Sequence, residues 1–461
     1  MENKLFTPET ISELKENEIF VFGSNKLGRH TSGAARTAVE KFGAVMGQAE
    51  GLQGQSYAIP TLDENMRKVS KDKIRDAVLR LYEEANDSLE LTFYVTKIGC
   101  GIAGFTTEEM KDLFSTILPP ENVILPREFC VTEGYKAFNP NMTCRGLLYN
   151  EGKVYEIEDE PELFGNGYHF CESPFETLTH YQLVDTDCLL VPRAPVTALG
   201  RVYGDEKEFK TTRESIYVTE KIKIGFKLDL PGFIAAGIKY LREKISDCAN
   251  DRYRANIRSS YDFARIGSSS DSTLIASTGY GAQIVASGEA PKIHAAGERP
   301  VIAASGDAPR ILSSGIGAHI VASGDYAQIA SLENDARIAA SGKHTQINSS
   351  GYAPQIAASG EVPRIAASGD SARIVSSGTA GKIASSGDHT KINCTGRNSV
   401  IAAIGKNNKA KAGLGSWIVL AEYDAETPVA VVSKRVDDVT IKADTWYKLV
   451  GGEFVEVGDQ I

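Results

Sequence analysis

Ser305-Gly306-Asp307-Ala308-Pro309-Arg310-Ile311-Leu312-Ser313 is one copy of a nine-residue unit that fills residues 257–405 of this 461-residue chain. Isoleucine returns at every ninth position without a miss, from Ile257, Ile266 and Ile275 to Ile383, Ile392 and Ile401. Small or apolar residues stand two places before and two places after it, the period of a strand with one buried face. A glycine four residues after the isoleucine supplies a turn that a Cβ would hinder. Each unit therefore reads as one short strand and one corner. One such strand cannot bury its isoleucine alone, but coils stacked about 4.8 Å apart give every backbone group a partner above and below. The expected fold is a nonapeptide-repeat β-solenoid. Two units per coil would make a flattened roll and three a triangular helix; the small alanines beside each isoleucine favour the thin, two-sided form.

Prolines two places before the isoleucine (Pro291, Pro300, Pro309, Pro354, Pro363) suit the entry to a strand and exclude a helical repeat. Outward positions carry Lys292, Arg310, Arg337, Arg364, Arg373, Lys382 and Lys391, and the corners carry acids such as Asp307, Asp325 and Asp370. The repeat holds 12 basic and 11 acidic residues, so it reads as a solvated charged surface with no basic stripe for nucleic acid. The unit resembles the calcium-binding nonapeptide of secreted toxins, but Ile316, Lys343, Tyr352 and Thr379 stand where that motif needs aspartate, so no metal is expected.

The net charge is −10, of which about −9 falls before residue 257, so phosphate backbones would repel the front of the chain. Seven scattered cysteines without a CxxC spacing suit a reducing compartment. Neither the N-terminus nor any later run has the apolar length of a signal peptide or membrane span. These features imply a soluble, cytoplasmic protein, with a virion component as the exception.

Before the repeat, residues 1–130 alternate strands and helices, the pattern of an α/β sandwich. A strand at 18–22 runs into Gly23-Ser24-Asn25-Lys26-Leu27-Gly28-Arg29-His30-Thr31-Ser32-Gly33-Ala34, which opens a helix. Further elements are expected at 56–60, 71–86, 91–98, 107–118 and 122–125, with Thr106 and Glu109 at capping-box spacing. The strand at 91–98 also ends in glycines, Gly99-Cys100-Gly101-Ile102-Ala103-Gly104-Phe105, directly before a helix. Such loops offer free N–H groups and a positive helix end to phosphate, and a pair of them at the carboxyl ends of strands is where open α/β sheets bind nucleotides. His30 beside Arg29 reads as a surface histidine, with general acid–base chemistry its functional alternative. Cys100 reads as loop packing, with a thiol lowered by the helix end as its alternative.

These two loops, with Ser56-Tyr57-Ala58-Ile59-Pro60-Thr61 between them, make the head resemble the macrodomain family, which binds ADP-ribose and in some members hydrolyses it from proteins. The same order is similar to a group of uncharacterised phage and prophage proteins. The resemblance implies a nucleotide ligand related to ADP-ribose or NAD. It assigns Asn25 to the ribose; Ser32, Gly33, Ala34, Gly101, Ile102, Ala103 and Gly104 to the diphosphate; and Phe105 to an aromatic wall.

Residues 131–230 read as a small α+β domain with a helix at 174–181 started by Ser173, Pro174 and Glu176. Gly165-Asn166-Gly167-Tyr168-His169-Phe170 is similar to a segment of ADP-ribosyltransferases, which would give Arg145 and either Glu214 or Glu220 to NAD phosphates and catalysis. Residues 231–256 hold an amphipathic helix, placed by its position as a cap over the first coil; 257–412 form the solenoid, and 413–461 a β-cap over the other end. Three functions follow: a head that binds, hydrolyses or sequesters a nucleotide with the solenoid as spacer; a structural or adhesive solenoid that self-associates through its coils or caps; or an NAD-cleaving or ADP-ribosyl-transferring middle domain.

Overall fold

The computed structural model describes residues 6–114, 119–120, 122–130, 133–158, 161–162, 165–199, 202–204, 216–245 and 256–458. The chain divides into two compact units: residues 1–134, 152–172 and 196–225, and residues 135–151, 173–195 and 226–461.

The first unit contains a five-stranded sheet. In chain order its elements are β1 (Glu18–Asn25), α1 (Gly33–Lys41), β2 (Gly51–Gln53), β3 (Ser56–Leu62), α2 (Lys71–Asp87), β4 (Thr92–Val95), α3 (Thr107–Phe114) and β5 (Val123–Ile124). The sheet order is β2-β3-β1-β4-β5, with β3, β1, β4 and β5 parallel and β2 antiparallel to β3. Strand residues alternate between two cores because successive side chains point to opposite faces. Ile19, Val21, Ile59, Phe93 and Val95 pack with α2 and α3, whereas Phe20, Phe22 and Ala58 pack with Ala35, Ala38 and Phe42 of the α1 side. The expected capping box forms at α3: Thr106 N–H donates to Glu109 Oε2 at 2.9 Å, and Glu109 N–H to Thr106 Oγ1 at 3.1 Å. The same unit holds antiparallel pairs from the middle of the chain, Tyr168–Cys171 with Ile216–Thr219 and Val154–Glu156 with Lys221–Ile224.

The second unit is built on the β-solenoid, of about 9 turns. Ile257 pairs in parallel with Ile275, and Ile266 with Ile284, so one coil holds two nonapeptides and the thin form is the one adopted. Strands of Ile257, Ile275, Ile293 and on to Ile401 make one sheet, and strands of Ile266, Ile284, Ile302 and on to Ile392 make the other. The isoleucines of both sheets share one continuous core. A hairpin ends each sheet. Trp417–Asp424 adds to the strand of Ile401 and turns back as Thr427–Arg435, while Tyr447–Val450 and Glu453–Glu456 close the other.

At the corners the glycine acts differently from the expectation. Gly306, Gly342 and Gly369 are not left-handed; a Cβ on any of them would stand 1.7–2.0 Å from the carbonyl oxygen of the glycine one coil earlier. Their hydrogen is what lets coils stack. The left-handed residue comes two places later and carries a side chain, as at Ala308 (φ 51°), Ala353 (φ 53°) and Val362 (φ 55°). Corner acids are likewise more than a solvated row. Asp307 Oδ1 accepts the N–H of Asp325, Asp325 that of Lys343, and Asp370 that of Asp388, each one coil on. An aspartate that caps the next coil's amide has a structural reason to recur.

The two sheets differ in what lies on them. On the sheet of Ile266, the residues after the isoleucines (Val285, Ala303, Val321, Ala339, Ala357, Val375) are buried under two helices and the chain near them. These are α4 (Thr177–His180), shorter than the helix expected at 174–181, and α5 (Leu230–Ile245). Helix α5 does not sit over the end of the first coil, as its place in the sequence suggests. It lies along the sheet, against the strands of Ile266, Ile284, Ile302 and Ile338. Its 16 residues span about 24 Å, enough for roughly four coil spacings. The physical reason is the stripe of valine and alanine on alternate strands, which receives Phe233, Ile234, Ile238 and Leu241.

Residues 178–188 continue the cover. Gln355 Oε1 accepts Leu183 N–H at 2.7 Å and Val184 N–H at 3.2 Å; Lys391 Nζ donates to Thr186 O at 2.7 Å and Asn393 Nδ2 to Cys188 O at 2.8 Å. Arg337 donates to Leu178 O, and Arg373 to the side chain of Gln182 and to Val184 O at 3.4 Å. Arg337, Arg373 and Lys391, expected in solvent, thus hold main chain in place. Arg337 Nη1 also stands 3.0 Å from Nε2 of His319. Burial, with the charges of Arg337, Arg299 and Arg193, pushes that imidazole down to about 3, so it is neutral and accepts. The opposite sheet has no such cover among the described residues: Lys292, Arg310, Gln346, Arg364, Ala366, Lys382 and Ala384 are exposed.

Candidate functional site

In the first unit, β1 lies between β3 and β4, so the chain leaves it toward one edge of the sheet and later crosses to the other. The loop after β1 leads to α1 on one face, and the loop after β4 leads to α3 on the other. Divergence of that kind opens a crevice at the carboxyl ends of the two neighbouring strands, the place where open α/β sheets take ligands. Because β1 and β4 are parallel, with Val21 opposite Val95, both glycine loops stand at the same end of the sheet. Their backbones come close at the base, where a Cβ built on Gly23 would lie 3.7 Å from the N of Gly99.

Above that base both loops are open. A Cβ on Gly33 or Gly101 meets no atom within 4 Å. The N–H groups of Gly33, Ala34, Gly101 and Ile102 find no main-chain acceptor among the described residues. Ser32 occupies the N-cap of α1 and makes no side-chain cap bond. Ser32 and Gly33 are exposed, Ala34 half-buried, and Ile102 is the exposed tip of the second loop. Ala103 is buried, and Gly104 N–H turns back to Gly101 O at 2.9 Å.

Several side chains act otherwise than the sequence suggests. Asn25, 5% exposed, donates from Nδ2 to Arg29 O at 2.7 Å and accepts from the N–H groups of Leu27 and Arg29 at 3.1 Å each. Its amide shapes the first loop. Ser24 donates to the carbonyl of Ala49. His30 is a correction to the surface reading: it is 2% exposed, with Nε2 3.0 Å from Gln48 O and its ring edge-on to Phe22. It packs the loop against the core. Cys100 is raised, not lowered, because burial outweighs the hydrogen bond from Thr107 and the charge of Lys97. Phe105 is buried in the α2–α3 core, with Lys68 Nζ 3.8 Å from its ring centroid.

Lys68 and Lys71 are the residues that sequence reading missed. Asp63 Oδ1 accepts the N–H groups of Asn65 and Arg67, a tight return that brings Lys68 back beside Leu62. Lys68 Nζ then reaches Gly104 O at 3.3 Å and Glu109 Oε2 at 3.1 Å, and Lys71 Nζ lies 3.1 Å from Glu109 Oε1. Glu109 is held down at about 2, first by the Thr106 N–H and then by the two lysines. Two cations therefore stand at the second glycine loop, balanced by one carboxylate. The only signal in the sequence is an Asx-turn pattern at Asp63, which gives no hint of the loop it serves.

In the middle of the chain, Arg145 is exposed at φ 50° in the turn between Thr143–Cys144 and Leu147–Leu148. Glu220 lies in the turn between Ile216–Thr219 and Lys221–Ile224, and the two residues belong to different compact units. Glu214 falls outside the described residues. No helix of the described residues is long and apolar enough to cross a membrane.

A family model described as a domain of unknown function, DUF7666, matches residues 132–236. The match spans parts of both compact units and lies outside the two glycine loops. No curated protein and no solved structure matches the chain.

Proposed function

We propose that the N-terminal α/β region binds a phosphate-bearing nucleotide, of the ADP-ribose or NAD type that the macrodomain resemblance implies, in the crevice between residues 25–33 and 96–106. One observation carries this reading: the two glycine loops end neighbouring parallel strands at the point where the chain changes direction across the sheet. Open amides of Gly33, Ala34, Gly101 and Ile102 supply donors for an anion, and Lys68 and Lys71 supply charge. With Asn25 committed to its own loop, sugar recognition falls to main-chain groups of the two loops. Isothermal titration calorimetry with ADP-ribose, NAD and cyclic ADP-ribose isomers is the test. Binding that weakens at least tenfold in both Gly33→Asp and Gly101→Asp, which set a carboxylate against the open amides, supports it; silence from all the ligands overturns it.

A second reading, an adhesive or assembly scaffold, is favoured by the uncovered sheet of the solenoid, whose outward residues are exposed along its length. In the first reading the same solenoid serves as a spacer.

A further inference from the structure

One sheet of the solenoid displays how this repeat holds another segment of the chain, which leaves α4 and folds back as a turn closed by Asp185 N–H on Leu189 O. On four of its strands the residue before the isoleucine reaches up to main-chain groups of residues 178–188, and after Ile338, Ile356 and Ile374 comes a buried alanine or valine. Over four successive coils the reaching residues are Arg337, Gln355, Arg373 and Lys391. The held segment carries Asp185 and Asp187, and Asp185 Oδ1 accepts the N–H groups of Asp187 and Leu189 within its own turn.

The uncovered sheet repeats this arrangement. The reaching residues of the same four coils are Gln328, Gln346, Arg364 and Lys382. The floor beside them (Ala330, Asn348, Ala366, Ala384, Ala402) lines a groove of about 310 Å3. No carboxylate occupies either outward position in the strands from Ile257 to Ile401 of this sheet, whereas Arg258, Lys292, Arg310, Arg364 and Lys382 do. Of the acids at the corner beside the groove, Asp370 and Asp388 each accept an amide of the next coil, and Glu333 stands exposed next to Leu332. The groove crosses four coil spacings, roughly 19 Å, the length of about six extended residues.

We infer that this sheet docks an acidic polypeptide segment of a partner protein along the 330–402 groove. Its main chain is held by Gln346, Arg364 and Lys382 in the way that Gln355, Arg373 and Lys391 hold residues 182–186, and its carboxylates face the cationic row. This inference is independent of the nucleotide site, since every residue it uses lies in the second unit.

The probe is a fluorescein-labelled peptide of residues 177–191 carrying Cys188→Ser, titrated against the full chain by fluorescence anisotropy. Saturable binding is expected, weakened at least tenfold by Arg364→Glu and by Ala366→Glu, and several-fold when both peptide aspartates are made asparagine. Circular dichroism melts check that the two exposed-site variants fold, and Gln346→Ala provides a milder change in the row of reaching residues beside the groove. No saturable binding to the wild-type chain overturns the inference. So does binding that ignores the groove variants but is lost in Gln355→Ala, which would place the peptide on the covered sheet. Sedimentation revealing a dimer that Ala366→Glu dissociates, with no peptide bound, would assign the face to a second copy of the chain instead.

Discussion

The two sheets of the solenoid are written in one nine-residue unit and share one isoleucine core, yet one lies under α5 and residues 178–188 while the other stays uncovered among the described residues. The difference resides at the position after the isoleucine. Val285, Val321 and Val375 occur on the covered sheet and Arg258, His294 and Asn348 on the other, while alanine stands at this position on both. A repeat can therefore keep its interior constant and specialise each outward face separately, because inward and outward side chains alternate along a strand.

That comparison can be broken or sharpened at four points. The largest effect is expected at the corners and should ignore the distinction between sheets. A Cβ at Gly360 or Gly369 would stand 2.0 or 1.7 Å from a backbone oxygen of the previous coil. Gly360→Ala and Gly369→Ala should each cost about 4 kcal/mol in denaturant unfolding, and a large inequality between them would mean that stacking differs by sheet. Next, Ala357→Asp places a charge under the cover, where Ala357 is fully buried. It should cost about 3 kcal/mol, against roughly 0.5 kcal/mol or less for Ala366→Asp on the open sheet; similar losses would erase the contrast.

A smaller split is expected at the reaching residues. Gln355→Ala leaves the amides of Leu183 and Val184 without their acceptor, for a loss of about 1–3 kcal/mol and faster hydrogen exchange at those two amides. Gln346→Ala should leave stability unchanged. The smallest effect returns to the corners. Ala308 and Ala353 are left-handed at φ 51° and 53°, so Ala308→Gly and Ala353→Gly should each be neutral or stabilising by up to about 1 kcal/mol in thermal melts. Clear destabilisation would indicate that the alanine methyls contribute packing that outweighs backbone strain.

Local features of this chain were readable. The isoleucine period gave the strands, and Thr106 with Glu109 gave the start of α3, because each depends on residues within a few places of one another. The neighbouring placement of the two glycine loops was an expectation from alternation alone, and the parallel register of β1 with β4 sets them at one end of the sheet. Other roles escaped. His30 reads from sequence as a surface residue because its burial depends on Phe22 and Gln48, and Lys68 carries no local signal because its partners lie 36 and 41 residues away. Even the covered stripe is written in the sequence, as Val285, Ala303, Val321, Ala339, Ala357 and Val375. Its period is eighteen, which stays invisible until the number of units per coil is known.

By itself the sequence determined the strand, the corner and the stacking of this solenoid, since a nine-residue period with one buried isoleucine admits no helix and no isolated strand. Tertiary structure alone decided which sheet would be covered and where α5 would lie. Those choices depend on an apolar stripe assembled from residues eighteen apart meeting a helix from another part of the chain, and burial of that stripe outweighs proximity in sequence.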